Sequence, residues 1–286
     1  MINVTCCICN RNETKEVKIN NKYMLVRCKF CGLIYVNPQH GLEELKKIYS
    51  DDYFLSRNSD ELGYDDYFSD SENIMKTAMR RLKVIEKIIS PGRLLDVGCA
   101  YGFFLEAAKR RGWQAWGVEL AKTPAAYARD ILGFKVLCQD IESVNLGGEK
   151  FDAVTLWDVI EHLADPRKVV EKLRSLIDDH GLLILTTPDI ESLPARITRN
   201  RWIGFKSPDE HLWYFSRCTI IKLLESAGFK VEKTFYAGKY IKLGMYMSRL
   251  SKYIPLVKGW TFLLNKGKSS YYANPFDIIC VAARKC

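Results

Sequence analysis

The 286-residue sequence predicts an α/β fold, a doubly wound sheet of mostly parallel strands preceded by a small cysteine-built ribbon. Three features carry that expectation. Leu94, Leu95 and Val97 form an apolar run bounded by Pro91-Gly92 and Gly98, which suits a buried parallel strand, and apolar side chains recur at helical spacing over 103–111. A second strand over 115–120 carries an acidic residue, Glu119, about twenty positions after Gly98. Two C-x-x-C pairs, Cys6/Cys9 and Cys28/Cys31, stand eighteen residues apart at the N-terminal end.

The ribbon comes first. Thiolates at this spacing on a tight turn converge on one centre, and two such pairs close a tetrahedral zinc site at Cys6, Cys9, Cys28 and Cys31. Gly32 follows the second pair as the flexible residue such a turn favours, and Cys7 is a spare. A redox pair or disulfides are the alternatives, and a reducing compartment disfavours disulfides. Four sulfur ligands leave no open position for water, so the metal is expected to be structural, folding a segment (1–40) too small to bury a core alone.

Residues 42–70 are rich in Tyr, Phe and acidic residues, with Tyr49, Tyr53, Tyr64 and Tyr67 read as a packed lid or a substrate mouth. A helix over 74–89 follows from Ile74, Ala78, Leu82, Ile85 and Ile89. After the first strand, a dinucleotide turn would need G-x-G-x-x-G, yet Ala100 and Phe103 occupy the second and third glycine positions. What remains, Asp96-x-Gly98-x-x-x-Gly102, suits close approach of a nucleoside without phosphates, and Glu119 is placed to accept both hydroxyls of its ribose.

The chain continues with a helix over 123–132, a strand over 135–137 ending before Asp140 and Ile141, and a strand over 151–157 leading into Asp158, Glu161 and His162. Ligands in such sheets lie beyond the carboxyl ends of the strands, which directs Trp157 and Asp158 at the ligand. A helix over 166–177 and a strand over 182–186 precede a loop of about 25 residues, a length that is usually functional. It ends in Glu210-His211; His211 has the side-chain type for proton removal near neutral pH, against the alternative of a histidine that bridges loop backbone. Glu161 and His162 either act directly or orient their own loop. A helix over 219–227 ends at Gly228, and strands follow over 229–235 and 277–283. Between them Tyr240, Leu243, Met247, Leu250 and Ile254 recur at helical spacing among basic residues, a helix suited to a membrane surface or lipid-linked substrate, or simply packed on the domain.

The net charge of +9 is uneven, +12 from Arg196 onward and −3 before it. That suggests an anionic partner at the C-terminal third: a phosphate-bearing substrate, an acidic membrane surface or nucleic acid, with a solvated basic face as the alternative. The chain has room for about two domains. It lacks a run of about eighteen apolar residues, and its first residues lack a secretory pattern, so a soluble cytoplasmic protein with reduced or metal-bound cysteines is expected.

The stretch from Leu94 to Leu120 resembles the first two motifs of the class I S-adenosylmethionine (SAM)-dependent methyltransferases, in the small-molecule, type 11 or 23 branch. The resemblance implies a Rossmann-like seven-stranded sheet whose last strand enters antiparallel. It also implies that Asp96 and Gly98 face the methionine end of SAM, Glu119 the ribose, Asp140 and Ile141 the adenine, and Trp157 and Asp158 the reactive end. Cys99, Ala100, Gly102, Phe103 and Leu120 complete the cofactor set. Ala100 departs from the glycine that many members carry, and the Asn/Asp-Pro-Pro-Tyr sequence of amino-directed DNA methyltransferases is missing.

The segment around Glu210 and His211 resembles one that supplies active-site residues in zinc-containing sugar C-methyltransferases. This implies His211 as general base assisted by Glu210. The expected organisation is a ribbon (1–40), an aromatic lid and linker (41–90) and a methyltransferase domain (91–286) with a substrate-covering insertion (236–276). The expected activity is methyl transfer to oxygen or carbon of a small hydroxylated metabolite, nucleotide-sugar or glycan intermediate. A zinc-ribbon RNA methyltransferase and a non-catalytic SAM-sensing or zinc-dependent interaction protein are the alternatives.

Overall fold

Leu94 and Leu95, fully buried, lie in a strand flanked by partners on both sides, the position their unbroken apolar run demands. The structure is a computed structural model that describes residues 1–17, 24–41, 44, 67–68, 70–205, 211–243 and 270–286. In chain order the elements are β1 (Thr14–Val17), β2 (Leu25–Cys28), β3 (Ile34–Val36), α1 (Ser71–Ile85), β4 (Arg93–Val97), α2 (Phe103–Arg110), β5 (Gln114–Glu119), α3 (Lys122–Ala126) and β6 (Lys135–Cys138). They continue with β7 (Phe151–Trp157), α4 (Pro166–Leu176), β8 (Ile177–Pro188), α5 (Leu193–Thr198), β9 (Trp213–Tyr214), α6 (Arg217–Ser226), β10 (Phe229–Tyr236), β11 (Lys239–Lys242), β12 (Ser270–Ala273) and β13 (Ile278–Lys285).

Seven strands form the central sheet in the order β10-β13-β8-β7-β4-β5-β6, the expected arrangement, with β13 antiparallel between β10 and β8. One face is covered by α1 and α2, which bury Ala78, Leu82, Ile85, Phe104, Ala107 and Ala108 against Leu94. Val169, Val170 and Leu173 of α4 and Ile220, Leu223 and Leu224 of α6 pack with Leu95, Val97, Val154 and Leu156 in a second cluster. Each fully buried leucine here contributes about 1.5–3 kcal/mol relative to exposure. The helix ends are chemically marked. The Asp165 carboxylate accepts the Lys168 N–H at 3.1 Å with Pro166 in the first turn, and Ser216 and Thr219 make a reciprocal capping box.

The second sheet, β1-β2-β3-β9, belongs to the ribbon, but its last strand comes from far along the chain: Ile34 pairs with Tyr214 and Tyr35 with Trp213. Trp213 stacks on Tyr35 at 5.3 Å and its indole N–H donates to the Leu163 carbonyl at 2.8 Å. Arg167 of α4 donates to the carbonyls of Cys7 and Ile8 at 3.1 and 2.9 Å, and Lys222 of α6 reaches the Cys31 carbonyl at 3.2 Å. The spare Cys7 is buried in the core shared by the ribbon and the large sheet.

Several expected elements differ. The helix foreseen over 123–132 is α for its first turn and then continues as a π-helix over Tyr127–Ile131, which closes with Leu132 N–H on the Tyr127 carbonyl. Strand β8 runs through Ile177–Pro188 rather than starting at Leu182, because it pairs with both β7 and β13. The loop after Pro188 contains α5, two short 3-10 turns and β9. The helix expected from Tyr240 begins instead as β11, paired antiparallel with β12; cross-strand partners 30 residues away outweigh the local helical pattern. Met247, Leu250 and Ile254 lie outside the described residues, as do Tyr49, Tyr53 and Tyr64. No helix among the described residues is long and apolar enough to cross a membrane.

Candidate active site

The turn after β4 is built by backbone that only small residues accept. Gly98 sits at φ +75°, and a Cβ there would lie 2.7 Å from Val159 Cγ2; Gly102, at φ +79°, would meet the Ala128 Cβ at 2.9 Å. Between them Ala100 also takes a positive φ of 47°, the conformation a glycine would adopt most easily. Its N–H donates to one Glu119 carboxylate oxygen at 2.8 Å while the Ala121 N–H donates to the other at 2.9 Å. Glu119 is thus a buried acceptor held at the tip of β5, with a lone pair remaining on each oxygen. Burial pushes its pKa up, opposed by these two N–H groups.

Asp96, at the end of β4, is also buried and accepts the Thr155 hydroxyl at 2.6 Å. Burial raises its pKa to about 7, against the lowering effects of the Thr155 bond and the Arg81 charge. Two carboxylates in one apolar corner match the two demands of SAM: a cationic methionine end needing a counter-charge and a ribose diol needing acceptors. The corner fits the cofactor.

The remaining expected cofactor residues divide by position. The Cys99 side chain points into the core, where it fills the space left by Gly117, whose Cβ would come within 2.5 Å of its sulfur, so only its backbone fronts the corner. Phe103 joins Tyr67, Phe68, Tyr101 and Tyr127 in an aromatic roof, with Phe68–Tyr101 centroids 4.5 Å apart, Phe68–Tyr127 5.0 Å and Tyr67–Phe103 5.7 Å. Leu120 is exposed, Ile141 buried, and Asp140 accepts the Glu142 N–H at 2.9 Å. Trp157 packs on Phe104 at 5.1 Å, with the Arg81 guanidinium 4.3 Å from its ring centroid. Asp158 is strained at φ +57°; its N–H donates to the Thr186 hydroxyl at 3.0 Å, which in turn donates to its carboxylate at 2.8 Å. Arg81, Thr155 and Thr186 are interior to a helix or strand and carry no motif, so sequence reading did not single them out.

Beyond Asp158 the chain makes a 3-10 turn, Ile160–His162. The Leu212 N–H donates to the Glu161 carbonyl at 2.9 Å and the Val36 N–H to the Leu212 carbonyl at 2.9 Å, so the ribbon and the β7 loop together position His211. The rings of His162 and His211 approach to 4.6 Å. His211 Nδ1 pairs with the Gly204 carbonyl at 3.1 Å, so this nitrogen carries the proton and Nε2 holds the lone pair. The backbone-bridging role is therefore real, and it fixes the tautomer at the same time. Burial lowers the His211 pKa, and burial followed by the Asp158 charge raises that of Glu161. Glu210 lies outside the described residues.

At the other end of this segment the four cysteines meet. Cys6 and Cys31 sulfurs are 3.3 Å apart, Cys9 and Cys28 3.4 Å, and all four lie within 4.8 Å of one another. Ligands about 2.3 Å from one tetrahedral zinc would stand about 3.8 Å apart, so the set fits the ion with small adjustment. A hydrogen bond from Cys6 draws the Cys31 pKa down to about 5.

The profile of a family described as a methyltransferase domain matches residues 71–234. The chain belongs to this methyltransferase family, of the class I SAM-dependent type. A ubiquinone biosynthesis O-methyltransferase of Coxiella burnetii is 32% identical over 114 residues, covering 37% of this chain and 49% of its own. The chain thus spans about half the length of the curated relatives it matches. Among solved structures, a SAM-dependent methyltransferase from Archaeoglobus fulgidus superposes with a TM-score of 0.52 at 20% identity, covering 77% of this chain and 99% of that one. The cyclase SpnF superposes at 0.51 with 18% identity, covering 73% and 82%. These similarities describe the fold, which SpnF shares under a different name.

Proposed function

We propose that the protein transfers the methyl group of SAM to an oxygen nucleophile on a small hydroxylated acceptor, a metabolite, nucleotide-sugar or glycan intermediate. The observation that carries this reading is the shared end of β4, β5 and β7. The buried Asp96 and Glu119 carboxylates suit the two polar ends of the cofactor, and the strained Asp158 leads within three residues to the Glu161–His162–His211 group. The relative named an O-methyltransferase supports oxygen over carbon.

SAM supplies an electrophilic methyl on a sulfonium. The chain's own work is then binding, exclusion of water and removal of a proton. Asp96 provides the counter-charge, and Glu119 the acceptors that set the ribose. The aromatic roof of Phe68, Tyr101, Phe103 and Tyr127 keeps water from the corner, which strengthens every charge interaction within it. The Glu161–His162–His211 group receives the acceptor hydroxyl and assists loss of its proton, so that oxygen attacks in line. The ribbon, with zinc on Cys6, Cys9, Cys28 and Cys31, holds β9 and so the strand end on which His211 sits.

The test is to incubate the protein with methyl-labelled SAM and separated cell fractions. Label appearing in polar metabolites supports the reading. Label in RNA replaces it with an RNA methyltransferase, and SAM bound without turnover on any fraction replaces it with a non-catalytic sensor.

A further inference from the structure

We propose that the Tyr35 hydroxyl donates a hydrogen bond to a buried thiolate of the zinc-loaded four-cysteine site, Cys6 or Cys28, and so ties the metal to the β3–β9 pairing. The inference rests on reading the four cysteines as a zinc site and does not depend on which acceptor is methylated. Tyr35 is 0% exposed, and its hydroxyl has no hydrogen-bond partner among the described residues. A phenol O–H buried in this way is costly, and a core tyrosine ordinarily gives it to an acceptor. A phenylalanine would fill the same space without that cost, so the hydroxyl calls for an acceptor that the metal-bound ribbon provides.

The sheet register brings such an acceptor within reach. Tyr35 pairs directly with Val26 in the antiparallel β2–β3 ladder, and Cys28, two residues further along β2, lies on the same face. Diagonal neighbours of this kind stand about 7–8 Å apart, a span that an aromatic side chain covers. Tyr35 shares one buried cluster with Cys6, Cys7 and Cys28. Its pKa is raised by burial and then by the thiols of Cys6 and Cys28, ahead of Cys7 and Cys9. Cys6 and Cys28 are also the buried sulfurs of the site, 0% and 1% exposed, whereas Cys9 and Cys31 are half-buried.

Zinc changes what these sulfurs need. As thiols they pair with one another, Cys6 with Cys31 and Cys9 with Cys28. As zinc ligands all four are thiolates, so the centre carries two net negative charges, and its buried side is out of reach of water. Arg167 and Lys222 approach the two knuckles, but they give their N–H groups to the backbone carbonyls of Cys7, Ile8 and Cys31. A hydroxyl donating to a thiolate draws off part of its charge through a charge-assisted bond, the support that outer groups give to metal ligands. The Tyr35 ring stacks on Trp213, which bonds to the Leu163 carbonyl and stands two residues from His211. Hydroxyl, ring and indole thus link the metal to the strand end at the candidate active site, which makes Tyr35 a positioning residue.

The test compares the full-length protein with Tyr35→Phe, which removes one oxygen and keeps the ring. Zinc affinity, read by competition with a chromophoric chelator, should fall about tenfold in the variant. In the cobalt-substituted protein the sulfur-to-cobalt charge-transfer band should move to longer wavelength, because a thiolate that has lost its donor gives up an electron more easily. If Tyr35→Phe does not fold, Tyr35→Leu, which also lacks the hydroxyl, carries the same spectral expectation. An unshifted band, with or without a loss of affinity, overturns the proposal, since packing alone leaves the electrons on sulfur as they were. A wild-type protein that takes up neither zinc nor cobalt overturns the four-cysteine reading, and the proposal with it, before any variant is compared.

Discussion

At the individual side chain, the decisive feature is that burial in an apolar corner raises the pKa of both Asp96 and Glu119 before any ligand arrives. Asp96 has a folded pKa near 7 against about 3.9 unfolded, so the folded state holds the extra proton between these values. The stability contribution of this group is therefore greatest below about pH 4 and declines as pH rises to about 7. Cofactor binding runs the other way: a cationic ligand favours the ionised form, so SAM affinity of the wild type should climb with pH and level off above about 7. Calorimetry across that range checks this, and Asp96→Asn should flatten the curve while weakening binding. Glu119→Ala should reduce SAM affinity about tenfold or more by removing both ribose acceptors; unchanged affinity would mean that the ribose lies elsewhere. Gly98→Ala adds a Cβ 2.7 Å from Val159 at φ +75° and should cost about 1–3 kcal/mol in denaturant unfolding as well as weakening SAM.

The elements show how the site is assembled from distant pieces. Strand β9 is two residues long, yet it joins the ribbon to the large domain through Trp213, which is 2% exposed, stacks on Tyr35 and bonds to Leu163. Trp213→Ala removes that packing and should destabilise by about 3–5 kcal/mol, measured by chemical denaturation. Because His211 is two residues upstream, methyl transfer should fall more steeply than stability alone explains. A helix expected at Tyr240 becomes strand β11 for a related reason. Its Tyr240, Ile241 and Lys242 find cross-strand partners in Tyr272, Tyr271 and Ser270, and a local pattern yields to pairing that buries more.

For the molecule as a whole, the four-cysteine site is expected to act at a distance from the chemistry. Metal there would fix the two knuckles; the knuckles carry β2 and β3, and β3 pairs with β9 beside His211. Stripping zinc with a strong chelator should therefore loosen β9 and slow methyl transfer while leaving the β4–β5 corner able to bind SAM; metal analysis, near-UV circular dichroism and calorimetry together check this. Equal loss of SAM affinity would instead mean that the ribbon supports the whole sheet.

What the sequence by itself determined is whatever depends on local chemistry. The strand–turn–helix at Leu94–Arg110, the Gly98 and Gly102 turn, the acidic tip at Glu119 and the paired cysteines are legible because each is written within a few residues of itself. Asp158 and His162 were legible as candidates for the same reason, since they follow the end of a recognisable strand. Tertiary structure alone decided the rest: that Thr155 meets Asp96 across two strands, that Arg81 reaches Trp157 from a preceding helix, and that Glu161 and His162 converge with His211 from nearly fifty residues downstream. Such meetings depend on the order and register of β3, β4, β7 and β9. Long-range pairing sets that register, and no stretch of sequence contains both partners.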